Sequence, residues 1–462
     1  MYGTILGDYK LSDRFYFGDP DIESTYTKQH GVTATFDHKF NDTWSTSIKA
    51  RWSESEIDQL AQTALWDATG TGGTPTFAPS TFDVNNMEHF DKQREFSISP
   101  TLQAKFDLGS TKNVLLLGAD YSRITDKGFM HADSLGNMCF FMGGPCPPAM
   151  VDLQNPTFPR FTRPVVGVGE GASFFDFDVT YLTTGAYAQL QSSIKDRVHL
   201  LIGGRLGSLD IDYHEDALVP AQTFKTKETR FLPRAGIVVD LVDGLSAYAG
   251  YSEGMRWVPF SQTFAEPKPE LSRSYEAGLK LNLNDELTGT LAVFQIDRKN
   301  VPYQVSATVG ALSKQRSRGF EADLIYQPNQ HWSILASYGY TDAFFASPTP
   351  GVSTGTNVPM VPKHSGRLWV NYAFGPGFMP GWSVGAGVYA ASSQTISATQ
   401  DWRTDGYFTV DAKLGYENKN LRASLSVKNL TGENYYTPYN WFGGQVAPGA
   451  PRSVFAQIGY KF

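Results

Sequence analysis

The sequence predicts an all-β protein, a transmembrane antiparallel β-barrel with short turns on one rim and long loops on the other. Three observations point there. Apolar and polar residues alternate strictly in about 17 short segments. Successive strand side chains point to opposite faces, so each segment has one greasy and one wet side. Connections between segments switch in turn from a few residues to a few dozen. No run approaches the roughly 18 apolar residues of a transmembrane helix, and the longest, at 114–117 and 200–202, are strand-sized.

The elements follow in order. Residues 1–30 are polar and read as loop. Segments 30–40 and 44–52 form a hairpin through Asn41-Asp42-Thr43, a tight polar turn. A long Gly/Thr/Pro/Asn loop reaches about Gln93. In segment 94–107, Phe96, Ile98, Leu102, Ala104 and Phe106 oppose Ser97, Ser99, Thr101, Gln103 and Lys105, and the strand pairs with 113–124. A longer loop, about 125–180, holds both cysteines. Segments 183–194 and 198–213 turn through Lys195-Asp196-Arg197, and 229–241 and 245–257 through Val242-Asp243-Gly244. Segments 273–283 and 287–300 meet at Asn284-Asp285-Glu286, and 317–327 and 332–344 at 328–331. Segments 364–374 and 382–394 join across 375–381, 407–417 and 421–428 across Asn418-Lys419-Asn420, and 453–462 closes the chain. Every tight turn falls on one rim, with no second domain in 1–462.

Composition agrees. Among 462 residues, 23 Tyr, 31 Phe and 44 Gly suit aromatic girdles and a curved sheet better than a helical enzyme. Net charge is −7 with no long basic run, which argues against nucleic acid as a partner. Cys139 and Cys146 predict a loop disulfide from an oxidising compartment, with a metal site or two free thiols as alternatives. The eight histidines form no metal-spaced pair, and no G-x-S-x-G, H-E-x-x-H or P-loop is present. The sequence therefore predicts no enzyme, no metal and no cofactor. A soluble propeller or sandwich stack also alternates, but does not lock loop length to strand parity.

The wet face carries Lys105, Asp107, Asp120, Ser122, Asp411, Lys413, Arg422, Ser424 and Lys428, the mixture expected of a polar lumen. The opening residues Met1 to Asp8 show no basic n-region, apolar core or cleavage site. That, and an odd strand count, predict that the chain is part of a longer barrel protein.

Several motifs resemble TonB-dependent ferric-siderophore outer-membrane receptors, the ferrichrome-type branch most. They include Phe17-Gly18-Asp19-Pro20-Asp21, the stretch Phe36 to Trp44, Thr184 to Gln189 and Gly203-Gly204-Arg205. More specific are Ser274-Tyr275-Glu276-Ala277-Gly278-Leu279-Lys280, Ser317-Arg318-Gly319-Phe320-Glu321, Val361-Pro362-Lys363-His364, and the ending Lys428 to Tyr436, Ala450-Pro451-Arg452 and Phe462. After Gly203-Gly204-Arg205 the chain has Leu206-Gly207 in place of the family's frequent aromatic–Asp pair. The resemblance implies a 22-stranded barrel of the Gram-negative outer membrane, filled by an N-terminal plug and energised through TonB. This chain would then match strands 6 to 22, without plug, TonB-binding segment or first strands. The implied partners are a ferric siderophore, TonB, outer-membrane lipid and the barrel-assembly machinery. A general diffusion porin and a surface-binding barrel are the rivals. Closing about 17 strands alone would leave edges unpaired in lipid, so the isolated chain is expected to aggregate or fail to assemble.

Glu276 and Glu321 are expected on the inner face, pairing with bases such as Arg318 or Lys280. Gly278 and Gly319 are expected to relieve crowding at a bend or a plug contact. Tyr460 and Phe462 suit the periplasmic interface. Among the rim aromatics, Trp257, Phe260, Tyr439 and Trp441 lie just beyond strand ends and are the candidate ligand contacts.

Overall fold

The computed structural model describes residues 15–23, 25–63, 81–133, 150–166, 172–217, 220–258, 268–304, 310–399, 401–439 and 445–462. Its strands are β1 (Tyr26–Lys39), β2 (Trp44–Thr63), β3 (Thr81–Asp83), β4 (Asn85–Leu108), β5 (Thr111–Ala132), β6 (Met150–Asp152) and β7 (Ala172–Ile194). There follow β8 (Val198–Glu215), β9 (Gln222–Val242), β10 (Leu245–Arg256), β11 (Glu270–Leu283), β12 (Leu287–Gln304), β13 (Gly310–Tyr326) and β14 (Trp332–Phe345). The last are β15 (His364–Ala373), β16 (Trp382–Ala391), β17 (Tyr407–Glu417), β18 (Leu421–Lys428), β19 (Tyr436–Tyr439), β20 (Gln445–Pro448) and β21 (Ser453–Tyr460).

Leaving aside the short pairs β3–β6 and β19–β20, the strands form one 17-stranded antiparallel sheet. It is a plain meander, each strand pairing with the next from β1 to β21. Among the described residues no strand pairs with the outer edge of β1 or of β21.

The tight turns fall where the sequence placed them. Lys195 and Asp196 have φ of 50° each, and Asn284 and Asp285 have φ of 53° and 55°. Asn and Asp tolerate this left-handed region better than most residues, and successive left-handed residues match the twist of a hairpin.

Two expectations need correction. The strands outrun the segments read from sequence. β4 has 24 residues, about 80 Å at ~3.4 Å each, against the 9–11 residues of a tilted crossing. Much of the expected loops near 85–93, 125–132 and 172–182 is therefore strand. The β8–β9 and β12–β13 connections, 216–221 and 305–309, are short, so long loops do not occupy every second connection. The sheet itself supplies the height there.

The second correction concerns glycines and lumen bases. Pairing partners share a face, so Glu276 and Glu321 do face inward with Phe294 and Ala292. Arg318 pairs with Gln295 and Asp342 on the outer face and donates to Asp342. Glu276 instead accepts the Tyr248 hydroxyl at 2.6 Å, and Lys280 lies over the Tyr248 ring. A Cβ on Gly278 or Gly319 would meet neighbouring backbone and the rings of Tyr248 and Phe294 respectively. The crowding comes from aromatic rings of the adjoining strands.

The expected lumen charges do share the inner face and largely pair there. Arg205 reaches Asp120 at 3.0 and 2.5 Å, Lys428 reaches Asp411 at 2.7 Å, and Arg422 reaches Glu417 at 3.2 Å. The Arg205 guanidinium lies flat over Gly185 and Gly207, where any Cβ would overlap it. Gly185 and Gly207 thus leave the room in which Arg205 bridges β8 to Asp120 of β5. Tyr460 stands 61% exposed at the short-turn rim, opposite Leu421, with Phe462 packed edge-on against it.

Candidate functional site

The register gives the inner wall row by row. One row runs Ser53, Glu95, Ile124, Tyr181, Ile211, Thr226, and the next above it Ser55, Gln93, Asp126, Val179, Tyr213, Phe224. On the outer face at the same height stand His30, Glu54, Arg94, Thr125, Thr180, Asp212 and Lys225. An outer face this polar lies beyond the apolar band, whose upper edge carries Val32, Trp52 and Phe96. The two rows therefore line the lumen at the long-loop end, outside the membrane-spanning part of each strand.

There the wall is apolar and aromatic where a lumen is ordinarily wet. Val179, Tyr181, Ile211 and Tyr213 are buried, at 0%, 5%, 2% and 4% exposure, with Ile124, Phe177, Phe224 and Trp257 packed on them. Trp257 follows the last residue of β10, yet its ring stacks on Tyr181 of β7 at 3.6 Å between centroids and 13° between planes. The pairing of β9 with β10 stops at Arg234 and Ser252. Above that point the β10 chain is free to lean inward across β9 and β8. Trp257 covers the face of Tyr181 and itself stays partly exposed, a flat aromatic surface of the kind that holds bulky, planar ligands.

Acidic groups lie beside it and one row above it. The Tyr213 hydroxyl donates to Glu215 at 2.6 Å, and Glu215 also accepts the N–H groups of Asp176 and Ala217. Burial, and then a hydrogen bond to Asp91, push the Asp126 carboxyl up to about 8. A second carboxyl on the same face disfavours the charged form of Asp126 further.

Beside the aromatic cluster is a cationic group. Glu270, 4% exposed, lies between Arg256 and Arg298. Burial raises its pKa, but the hydrogen bonds and charges of Arg298 and Arg256 outweigh that and hold the carboxyl below its ordinary value.

Of the expected contacts, Trp257 is in this site. Phe260, Trp441, Cys139 and Cys146 lie outside the described residues. Tyr439 ends β19, where Tyr439 pairs with Gln445. The nearby described aromatic stack is Tyr435 on Tyr407, at 4.1 Å and 18°. Tyr181 and Tyr213 are not among the sequence-predicted contacts, because one lies at the end of an expected loop and the other at the end of an expected strand. Their parity with Thr183 and Leu209 was the available signal. The sequence also shows no catalytic spacing. The structure joins Ser193, His199 and Asp240 at 2.9 and 3.1 Å, with Ser246 also on Asp240 at 2.6 Å. This relay ties β7 to β10 at the short-turn rim, at the far end of the strands from the aromatic wall.

The sequence matches the family described as TonB dependent receptor-like, beta-barrel, over residues 2–430. It is 25% identical over 456 residues to the metal-pseudopaline receptor CntO of Pseudomonas aeruginosa, covering 95% of this chain and 60% of the relative. It is 24% identical over 476 residues to the ferrichrome outer membrane transporter/phage receptor of Escherichia coli, covering 96% and 60%. Thus the chain spans about 60% of the length of these relatives. Among solved structures, the siderophore receptor PiuA of Acinetobacter baumannii superposes with a TM-score of 0.77 at 21% identity, covering 95% of this chain and 65% of that one. The ferric-catecholate import receptor Fiu of Escherichia coli gives 0.75 at 22%, covering 97% and 66%. These structural likenesses establish the fold.

Proposed function

The chain belongs to the TonB-dependent receptor-like β-barrel family, and we propose that it is the barrel domain of an outer-membrane receptor that takes up ferric siderophores. The barrel crosses the Gram-negative outer membrane many times, with its short turns in the periplasm and its long-loop end at the cell surface. The partly exposed ring of Trp257, held in place by its stack on buried Tyr181, carries this reading. A ferric chelate is wide and encloses its metal, so it is held by stacking surface and peripheral polar groups rather than by direct iron ligands. Names of relatives, a ferrichrome transporter and siderophore receptors, support the same class of cargo. In this reading a plug and a TonB-binding segment belong to the same receptor and couple it to the inner-membrane proton gradient. Surrounding lipid and the barrel-assembly machinery are its other partners. Cys139 and Cys146 form a loop disulfide, and Phe260, Tyr439 and Trp441 join Trp257 at the mouth. We assign no catalytic role to the chain.

The test is growth. A strain stripped of its own siderophore receptors is given the gene encoding this protein and placed on iron-limited medium with a panel of ferric chelates. Growth on some chelates that is lost on deleting TonB is the expected result. Growth equal with and without TonB, together with entry of small sugars, would favour a porin instead.

A further inference from the structure

We infer that Arg256 and Arg298, held apart by Glu270, form an anion-binding edge of the aromatic wall that selects negatively charged ferric chelates over uncharged ones. This rests on the receptor reading above and names its substrate class.

Arg256 of β10 pairs directly with Glu270 of β11, and Arg298 of β12 lies opposite Ser272, one diagonal step from Glu270. All three share the parity of Ser252, Ser274 and Glu276, so they face the lumen. On the outer face just below stand the ion pairs Glu253–Arg273 and Asp297–Arg316, which place the group above the apolar band. Arg256 immediately precedes Trp257, whose ring leans over the wall to stack on Tyr181.

The geometry is that of a positioned charge. Arg298 gives its Nε to one oxygen of Glu270 at 2.6 Å and an amino group to the other at 2.7 Å. Arg256 gives its Nε and an amino group to that second oxygen, at 3.1 and 2.7 Å. Each guanidinium has five N–H donors in a rigid fork, and among the described residues neither meets any other acceptor. Their side chains remain 65% and 35% exposed, whereas Glu270 is buried. One buried carboxylate against two guanidiniums leaves a net positive charge facing the lumen. Arg234, exposed and opposite Ser252 on the neighbouring strand, adds a second cation with no partner among the described residues. The other side of the wall has the opposite character, with Asp126 beside the tyrosines and Asp91 and Glu215 one row above. A chelate with anionic oxygens at its rim would therefore dock with those oxygens toward β10–β12 and a ring face on Trp257. Glu270 is a positioning residue: without it the guanidiniums repel and the fork loses its aim.

The experiment measures binding of radiolabelled iron chelates, in the cold, to cells carrying the whole protein. The probes are an anionic ferric tris-catecholate, ferric citrate and an uncharged ferric tris-hydroxamate. Surface labelling corrects for the amount of each variant. R256A and R298A are expected to weaken binding of the anionic probes by about tenfold or more, the loss of one charge-assisted contact. Binding of the uncharged probe should shift by less than about threefold, and raised salt should mimic the arginine variants. R298K, which keeps charge but not the fork, should fall between. E270Q should weaken anionic binding although it adds positive charge, a result that a simple charge effect would reverse. Equal loss of charged and uncharged chelates, or no loss in either arginine variant, would overturn the proposal and leave the receptor reading standing. Binding of no chelate at all would remove the receptor reading and this inference with it.

Discussion

Asp126 is the residue whose chemistry differs most from its ordinary state. It faces Asp91 and Gln93 from β4, Tyr181 from β7 and Tyr213 from β8, with Glu95 and Glu215 one row away and no cation in either row. With its folded pKa raised from 3.8 to about 8, the folded protein keeps a proton that the unfolded chain releases between those values. Stability therefore falls as pH rises across that window. We expect the emission of Trp257, identified as the signal missing in W257F, to shift red with a midpoint near pH 8 as the wall loosens. D126N should abolish the shift, since an amide keeps the shape without the charge. An unchanged titration in D126N would show that the pair does not govern the packing. Y181A removes the partner of the indole, and a stacked pair is worth about 0.5–1.5 kcal/mol beyond its buried area. Its signature should be red-shifted Trp257 emission at every pH and weaker chelate binding.

At the scale of strands, glycines set how closely inner-face side chains lie on the sheet. G207A would push Arg205 off its seat and away from Asp120. It should lower stability by about 1–3 kcal/mol, the cost of leaving part-buried hydrogen-bonded charges poorly paired. The heat-induced unfolding midpoint in detergent measures this. G250A is the control, because a Cβ at Gly250 meets nothing within 4 Å, and it should stay within about 0.5 kcal/mol. Equal destabilisation of both variants would reject the seat. The turns, pairings and face parity were legible in the sequence because lipid demands unbroken alternation in the membrane. The upper halves of β4, β5 and β7 were not, because neither face is continuously apolar there: Glu88, Lys92 and Arg94 stand outward where Phe96 and Ile98 do lower down. Arg318 was assigned to the lumen against its own parity with Phe320, and in the structure it takes Asp342 outside. Trp257 was legible as a residue beyond a strand end, but its partner was not. Tyr181 is three strands away in the sheet, and only the lean of the chain over β9 and β8 brings them together.

Over the whole molecule, the meander has an odd number of strands, so β1 and β21 both run toward the short-turn rim. Direct closure would be a parallel pair, and antiparallel closure needs an odd number of further strands. Each backbone group left unpaired in lipid costs several kcal/mol. The 462-residue chain refolded by itself in detergent is therefore expected to show no heat-modifiable compact band on electrophoresis, and a stable one would mean that the edges close without help. The receptor function joins two properties, a ferric chelate as cargo and TonB as the source of energy. Its most direct test is accumulation of radiolabelled ferric chelate by cells carrying the whole protein, with and without TonB, for wild type and Y181A. The account predicts saturable uptake that vanishes without TonB and has a lower apparent affinity in Y181A. Uptake that rises linearly with concentration and is indifferent to both TonB and Tyr181 would contradict it.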